Sequence, residues 1–159
     1  QKERNNEYPS GQYAARRAIF GRLLSNLILF SYLCKVIDSY CIFMDKLIET
    51  IVSAIEDKKG KNIVSLDLSG FDGAICSHFI VCNADSTTQV CAIADGIEER
   101  VLEKLSEKVW RVEGQQNGVW VAMDYVDVVV HIFQTELRGF YKLEELWADA
   151  PMVKYEYEE

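Results

Sequence analysis

The residues best equipped for chemistry are two carboxylates, Asp124 and Asp127, two histidines, His78 and His131, and five cysteines, Cys34, Cys41, Cys76, Cys82 and Cys91. A metal-dependent transfer site built on paired carboxylates places them at i and i+2, so that both leave one face of a strand toward Mg²⁺. Asp124 and Asp127 are three apart. On one strand they would face opposite ways, and across a hairpin they frame the turn. No phosphate-cradling glycine loop precedes them, and the strand-to-helix junction from Asn83 to Ser86 contains no glycine. His78 and His131 sit in apolar stretches, without a carboxylate or cysteine spacing that makes a triad. The cysteines are odd in number, with no C-x-x-C pair and no histidine at zinc spacing. They read as reduced thiols, and Cys76 and Cys82, which share strand parity, read as small apolar core residues. The expectation is no catalytic residue, no metal and no cofactor, with Asp124 and Asp127 serving the turn.

The elements that position these residues follow from periodicity. Val119 to Met123 and Val128 to Phe133 are two apolar strands around the polar break Asp124-Tyr125-Val126-Asp127, a hairpin inside a packed sheet. A two-residue type I′ turn needs positive φ, which β-branched Val126 resists, so a wider or bulged turn is expected. Upstream, Asp45 can cap a helix whose apolar positions are Leu47, Ile48, Ile51, Val52 and Ile55, closing at Lys58-Lys59-Gly60. Ile63 to Leu68 is a short strand. Ile75 to Cys82 is nearly continuously apolar, which suits a central strand covered on both faces.

Ser86-Thr87-Thr88-Gln89 is a capping box. It opens a long helix with Val90, Ala94, Ile97, Val101 and Leu105 along one stripe, and with Asp95, Glu98, Glu99, Glu103 and Glu107 facing water. Val109 to Val112 is a further strand, Glu113 to Gly118 a loop, and two short helices follow the hairpin. Residues 151–159, PMVKYEYEE, read as an acidic tail with little to bury. The fold class is α/β, a mixed β-sheet of about five strands flanked by helices.

At 159 residues and 49% apolar composition, the chain can bury one domain core. Its charge is uneven. Residues 1–43 carry six Lys or Arg against three acids, a net +3, whereas residues 44–159 carry eleven against twenty-two, a net −11. The asymmetry marks a boundary near Met44. A domain at −11 is repelled by a phosphate backbone and attracted to a basic protein surface, so no direct nucleic-acid recognition is expected. Arg16, Arg17 and Arg22 precede the apolar run Leu23 to Phe30, a layout that passes for a targeting segment. Lys35 and Asp38 interrupt it well below the roughly 20 apolar residues of a membrane span, so no membrane is expected.

The run from Trp120 to Trp147, WVAMDYVDVVVHIFQTELRGFYKLEELW, resembles the ribosomal silencing factor family (RsfS or Iojap). In that family W-x-x-x-D-Y-G-D-V-V-V-H-I-F leads into a short helix and L-E-x-L-W. Ile80-Val81-Cys82, Ser86, Gln89-Val90 and Ala92-Ile93-Ala94-Asp95 match its strand-to-helix pattern, so the resemblance covers Met44 to about Ala150. Val126 stands where the family usually has Gly, Ser77 where it often has Asp, His78 where it favours an aromatic, and Ala84 where it often has Gly.

The resemblance implies a nucleotidyltransferase-like fold without the enzymes' paired carboxylates. It also implies a domain over residues 44–150 that binds protein fourteen of the large ribosomal subunit and keeps the small subunit from joining. The alternatives are a nucleotidyltransferase-like enzyme and a self-associating scaffold; a homodimer of the free protein is compatible with the main reading. Trp120, Met123, Asp124, Tyr125, Val126, Asp127 and Trp147 are the expected partner-binding residues, because aromatics and Met anchor protein interfaces without charge and Tyr125 is expected at an exposed turn.

The family's usual beginning falls at Met44, so residues 1–43 are expected to be translated upstream sequence, in a cytoplasmic protein. A genuine transit peptide would make it organellar, and a membrane-surface helix is the remaining alternative. Mass spectrometry of the native protein is expected to return no peptide from residues 1–43, and one such peptide overturns that expectation.

Overall fold

The computed structural model describes residues 27–156, with side chains from residue 33 onward, so Arg16, Arg17 and Arg22 lie outside the described residues. The chain divides into two compact units, residues 1–43 and residues 44–159. The elements are helix α1 (Leu27–Asp57), strands β1 (Lys61–Asp67) and β2 (His78–Ala84), and helix α2 (Thr87–Leu105). Strands β3 (Arg111–Glu113), β4 (Trp120–Asp124) and β5 (Val128–Gln134) follow, then helices α3 (Thr135–Tyr141) and α4 (Leu143–Leu146), and strand β6 (Met152–Tyr155). Among the described residues no helix is long and apolar enough to cross a membrane.

The six strands lie in the order β3-β4-β5-β2-β1-β6. β2 and β5 are parallel, in register from His78 opposite Val128 to Ala84 opposite Gln134, and α2 begins the crossover that parallel neighbours require. All other pairings are antiparallel. The expected strand from Ile75 is therefore central, but it starts at His78; Ile75 is exposed in the preceding loop.

Residues alternate between the two sheet faces. One face carries Val64, Leu66, Phe79, Val81, Val129 and Phe133, joined by Cys76, Leu68 and Ala150. The opposite face carries Ile80, Cys82, Val121, Met123, Val130 and Ile132, all fully buried. α2 packs there through Val90, Ile93, Ala94, Ile97 and Val101. Cys76 and Cys82 thus sit on opposite faces, contrary to the shared parity expected, because Cys76 precedes the strand. Burial pushes both thiols up to about 12, so both stay protonated core residues.

Local departures have local causes. Asp45 does not cap a helix, because α1 runs through it, though of the expected stripe Leu47, Ile51, Val52 and Ile55 are buried and Ile48 is half-buried. At its end Lys59, not Gly60, takes the left-handed conformation, with φ 57°. Gly60 is needed for space: a Cβ there would lie 2.3 Å from Ile55 Cγ2. The capping box reaches one residue further than expected. Gln89 N–H donates to Ser86 Oγ, while the Gln89 side chain accepts from the Asp85 N–H and donates to the Lys58 and Lys59 carbonyls, tying the end of α1 to the start of α2. The acidic tail is a strand: Met152–Tyr155 pairs antiparallel with β1, and the Tyr155 hydroxyl meets Ser65 Oγ at 3.3 Å. An edge strand with three exposed residues satisfies β1's backbone without a hydrophobic signature.

The hairpin connection is three residues, wider than a type I′ turn, yet Val126 does adopt positive φ, 75°. The Asp127 N–H donates to the Tyr125 carbonyl across it, the bonding of the rare, strained γ-turn. Asp124 Oδ1 accepts from the Val126 N–H at 2.7 Å and holds the turn in that shape. Val126→Gly is expected to stabilise the fold by about 1 kcal/mol, since Gly meets no Cβ clash at that φ; an unchanged or lower urea midpoint counts against the strain.

His131, on β5, is 8% exposed. Its Nδ1 accepts from Trp120 Nε1–H at 3.3 Å, which places its own proton on Nε2, an atom with no hydrogen-bond partner among the described residues. Burial lowers its pKa from 6.5 to about 4. The unfolded chain therefore binds this proton first, and the stability from the neutral ring is complete above pH 6.5 and lost as pH falls through 4. The loss attributable to this site is about 3 kcal/mol. Urea titrations at pH 7 and pH 4 are expected to show a smaller acid loss in His131→Phe than in the parent; equal losses exclude His131 as the source.

Candidate surface for a protein partner

The face around Val129, His131 and Phe133 is covered by α3 and α4, and only in part. Neither helix has a fully buried residue; Leu137, Leu143 and Trp147 pack on the sheet half-buried. At seven and four residues these helices are far below the length at which a helix holds by itself, so tertiary contacts must supply their stability.

Aromatic contacts provide much of it. Trp120 stacks on Phe133, its cross-strand neighbour, at a centroid distance of 5.0 Å, and meets Tyr141 of α3 at 4.9 Å. Trp147 stands edge-on to Phe71 and Phe79, at 5.7 and 6.0 Å. His131 lies between Phe79 and Trp120. The outward side of this cover is apolar: Phe140 is 77% exposed, Leu146 73% and Tyr141 45%. Phe140 touches Tyr141 edge-on, so an aromatic path runs from Trp120 in the sheet to Phe140 in solvent.

The seven residues expected to bind a partner are thus divided. Trp120 and Trp147 share the partly covered face, each half-buried. Met123 is fully buried on the other face, toward α2, because it is an odd number of residues from Trp120 along the strand. Tyr125, expected in solvent, is only 8% exposed. Burial, with the Glu98 carboxylate of α2 nearby, pushes its phenol far above the usual range. The strained turn folds it back against the sheet and removes it from the surface. Asp124, Val126 and Asp127 remain half-buried at the turn, about 14 Å from Trp120 by strand rise.

Both aspartates have structural work there. The Asp124 carbonyl accepts from Trp110 N–H, and the Asp127 carbonyl from the N–H groups of Ser77 and His78, which starts β2. Among the described residues no cluster of three or more His, Cys, Asp or Glu is placed to hold a metal. Phe140, Tyr141 and Leu146 also stand on this surface, although periodicity and motif spacing did not single them out. Their signal was present, since helices this short cannot bury adjacent aromatics.

Electrostatically the surface belongs to an acidic body. Segment 135–149 holds Glu136, Glu144, Glu145 and Asp149 against Arg138 and Lys142, and on the opposite face of the sheet α2 exposes Asp95, Glu98, Glu99 and Glu103.

Comparison with known proteins agrees with this architecture. Residues 43–159 match the family described as "Ribosomal silencing factor during starvation". Ribosomal silencing factors of Halalkalibacterium halodurans and Bacillus subtilis are 38% and 34% identical over 111 residues each, spanning 70% of this chain and 93% and 92% of theirs. A crystal structure of a Chromobacterium violaceum protein superposes with a TM-score of 0.61 at 34% identity, covering 65% of this chain and 85% of that one. With the matched region spanning the whole sheet and helices α2 to α4, the chain belongs to the ribosomal silencing factor family.

Proposed function

We propose that this protein docks on protein fourteen of the large ribosomal subunit in the cytoplasm and keeps the small subunit away by its bulk, so repressing translation without catalysing a reaction. The module responsible is residues 44–150 together with the edge strand β6, within the unit of residues 44–159. The observation that carries the reading is the apolar, half-exposed face of Trp120, Phe140, Tyr141, Leu146 and Trp147 in a unit of net charge −11, within a family of silencing factors. Stable pairing buries about 1,600 Å² in total, and exposed aromatics at the centre of such a patch contribute most of the affinity. Occlusion needs only an affinity and a residence time that outlast subunit joining. Attraction between an acidic module and a basic ribosomal protein speeds encounter and weakens with salt. The same patch is open to a second copy of the free protein, so self-association would compete with docking.

The Asp124 carboxylate is engaged by the Val126 N–H of the turn, and the three-residue spacing of Asp124 and Asp127 differs from that of paired metal ligands, which supports binding over transfer chemistry. The double variant Phe140→Ala/Leu146→Ala removes side chains that are mostly in solvent, so its urea midpoint is expected to match the parent. Its co-sedimentation with large subunits in a sucrose gradient is expected to fall at least tenfold, as the loss of about 1.4 kcal/mol or more from a central contact dictates. Undiminished co-sedimentation overturns the assigned surface. Tyr125→Ala, in contrast, empties a buried site and is expected to lower stability by about 3 kcal/mol, with equilibrium unfolding as the measure.

A further inference from the structure

α3 and α4 are too short to hold themselves, and one side chain on α3 links them to the sheet. Arg138 is 15% exposed and forms an ion pair with Glu144 of α4, which is 21% exposed. Its Nε donates to Glu144 Oε1 at 2.8 Å and its Nη2 donates to the same oxygen. Its Nη1 donates to the Asn62 carbonyl at 2.5 Å and to Asn83 Oδ1 at 2.9 Å.

Both of those acceptors are prepared by the sheet. Asn62 sits at an irregularity in the pairing of β1 with β2 and takes φ 50°, and its carbonyl accepts from Arg138. Asn83, on β2, is 1% exposed and is fixed from two further sides, accepting from Asn62 Nδ2 at 3.1 Å and donating to Thr135 Oγ1 at 2.8 Å. Thr135 is the first residue of α3. One guanidinium thus ties together β1, β2, α3 and α4.

This network lines a cleft of about 400 Å³ at the carboxyl ends of the parallel strands β2 and β5, the place where open α/β sheets take their ligands. Here Arg138 and Asn83, the polar groups at the centre of the cleft wall, are already bonded to one another and to the chain, so the arrangement reads as a fastening and not as a vacant site.

We infer that Arg138 is a positioning residue for the docking surface: its fan of bonds to Glu144, Asn62 and Asn83 clamps α3 and α4 on the sheet and so presents Phe140, Tyr141 and Leu146 in a fixed arrangement. The inference rests on the docking surface proposed above. A planar guanidinium is required because it serves three acceptors in divergent directions, which the point charge of a lysine cannot do. Removing it also leaves Glu144 without its ion-pair partner in a half-buried site, which loosens the segment further. Lys142, between the two helices, keeps its own pair with Glu145 and is independent of this network.

The test compares the parent chain of residues 1–159 with Arg138→Met, Arg138→Lys, Glu144→Gln and Phe140→Ala, using hydrogen exchange and co-sedimentation with large ribosomal subunits. Arg138→Met is expected to raise exchange at least tenfold across residues 135–147, to leave β2 and β5 protected, and to weaken large-subunit binding about tenfold. Arg138→Lys is expected to recover only part of either effect. Glu144→Gln, which alters one acceptor and leaves Asn83 and Asn62 bound, is expected to give a smaller loss in both and reports on the clamp should Arg138→Met fail to fold. Phe140→Ala is expected to weaken binding with exchange unchanged. Parent-like exchange over residues 135–147 in Arg138→Met and Glu144→Gln overturns the clamp, as does parent-like binding by both while Phe140→Ala binds weakly. If Phe140→Ala and Arg138→Met both bind as the parent does while exchange rises, the docking surface itself is wrong and the clamp's role in docking falls with it.

Discussion

The parallel pairing of β2 with β5 is the constraint from which the rest of the architecture follows. Two adjacent parallel strands need a crossover on one face, and α2 begins it. Both strands are buried on both faces, with Ile80 and Cys82 turned one way and Phe79 and Val81 the other. That explains their near-continuous apolar sequences. The antiparallel additions, β4 and β3 beside β5 and β1 and β6 beside β2, then widen the sheet on each side. The two faces are covered unequally. α2 is nineteen residues long and buries six of them, whereas α3 and α4 together bury none.

The unequal cover connects packing to function. A face closed by long helices keeps its aromatics inside; a face closed by two short ones leaves Phe140 and Leu146 in water and Trp120 and Trp147 half in it. Such exposure costs solubility unless a partner uses it, and contiguous exposed apolar surface marks interaction sites. The Arg138 network and the Trp120–Tyr141 contact hold this cover in place with polar and aromatic bonds in place of a buried stripe. Flexibility of the segment is thereby limited where a partner would otherwise have to order it on binding, at an entropic cost to affinity.

The Asp124–Asp127 turn shows how one residue changes the reading of its neighbours. With β-branched Val126 at its centre, the turn still adopts positive φ, braced by the Asp124 carboxylate. The same folding back buries Tyr125 under the influence of Glu98. A residue placed in a turn by pattern is ordinarily solvent-facing. Here the connection is so tight that its first residue is drawn into the packed layer.

Taken residue by residue, the amino-acid sequence determined whatever rests on local periodicity and capping. The strand-helix order from Ile63 onward, the central position of the Ile80 strand, the stripe Val90-Ala94-Ile97-Val101, the Ser86–Gln89 cap, and the acidic balance of residues 44–159 all follow from spacing and composition. These signals are short-range: a repeat of two or about 3.6 fixes which side chains share a face without reference to the rest of the chain. Tertiary structure alone decided which face of the hairpin reaches solvent, hence that Met123 and Tyr125 are inside while Phe140 and Leu146 are outside. It also decided that the charged end of the chain becomes β6, and that Arg138, Asn83, Asn62 and Glu144, up to 82 residues apart in sequence, form one bonded unit. The physical reason is that long-range partners set these outcomes: a strand's parity says that two faces exist, and only the helices packed against them settle which face is sealed and which is left open.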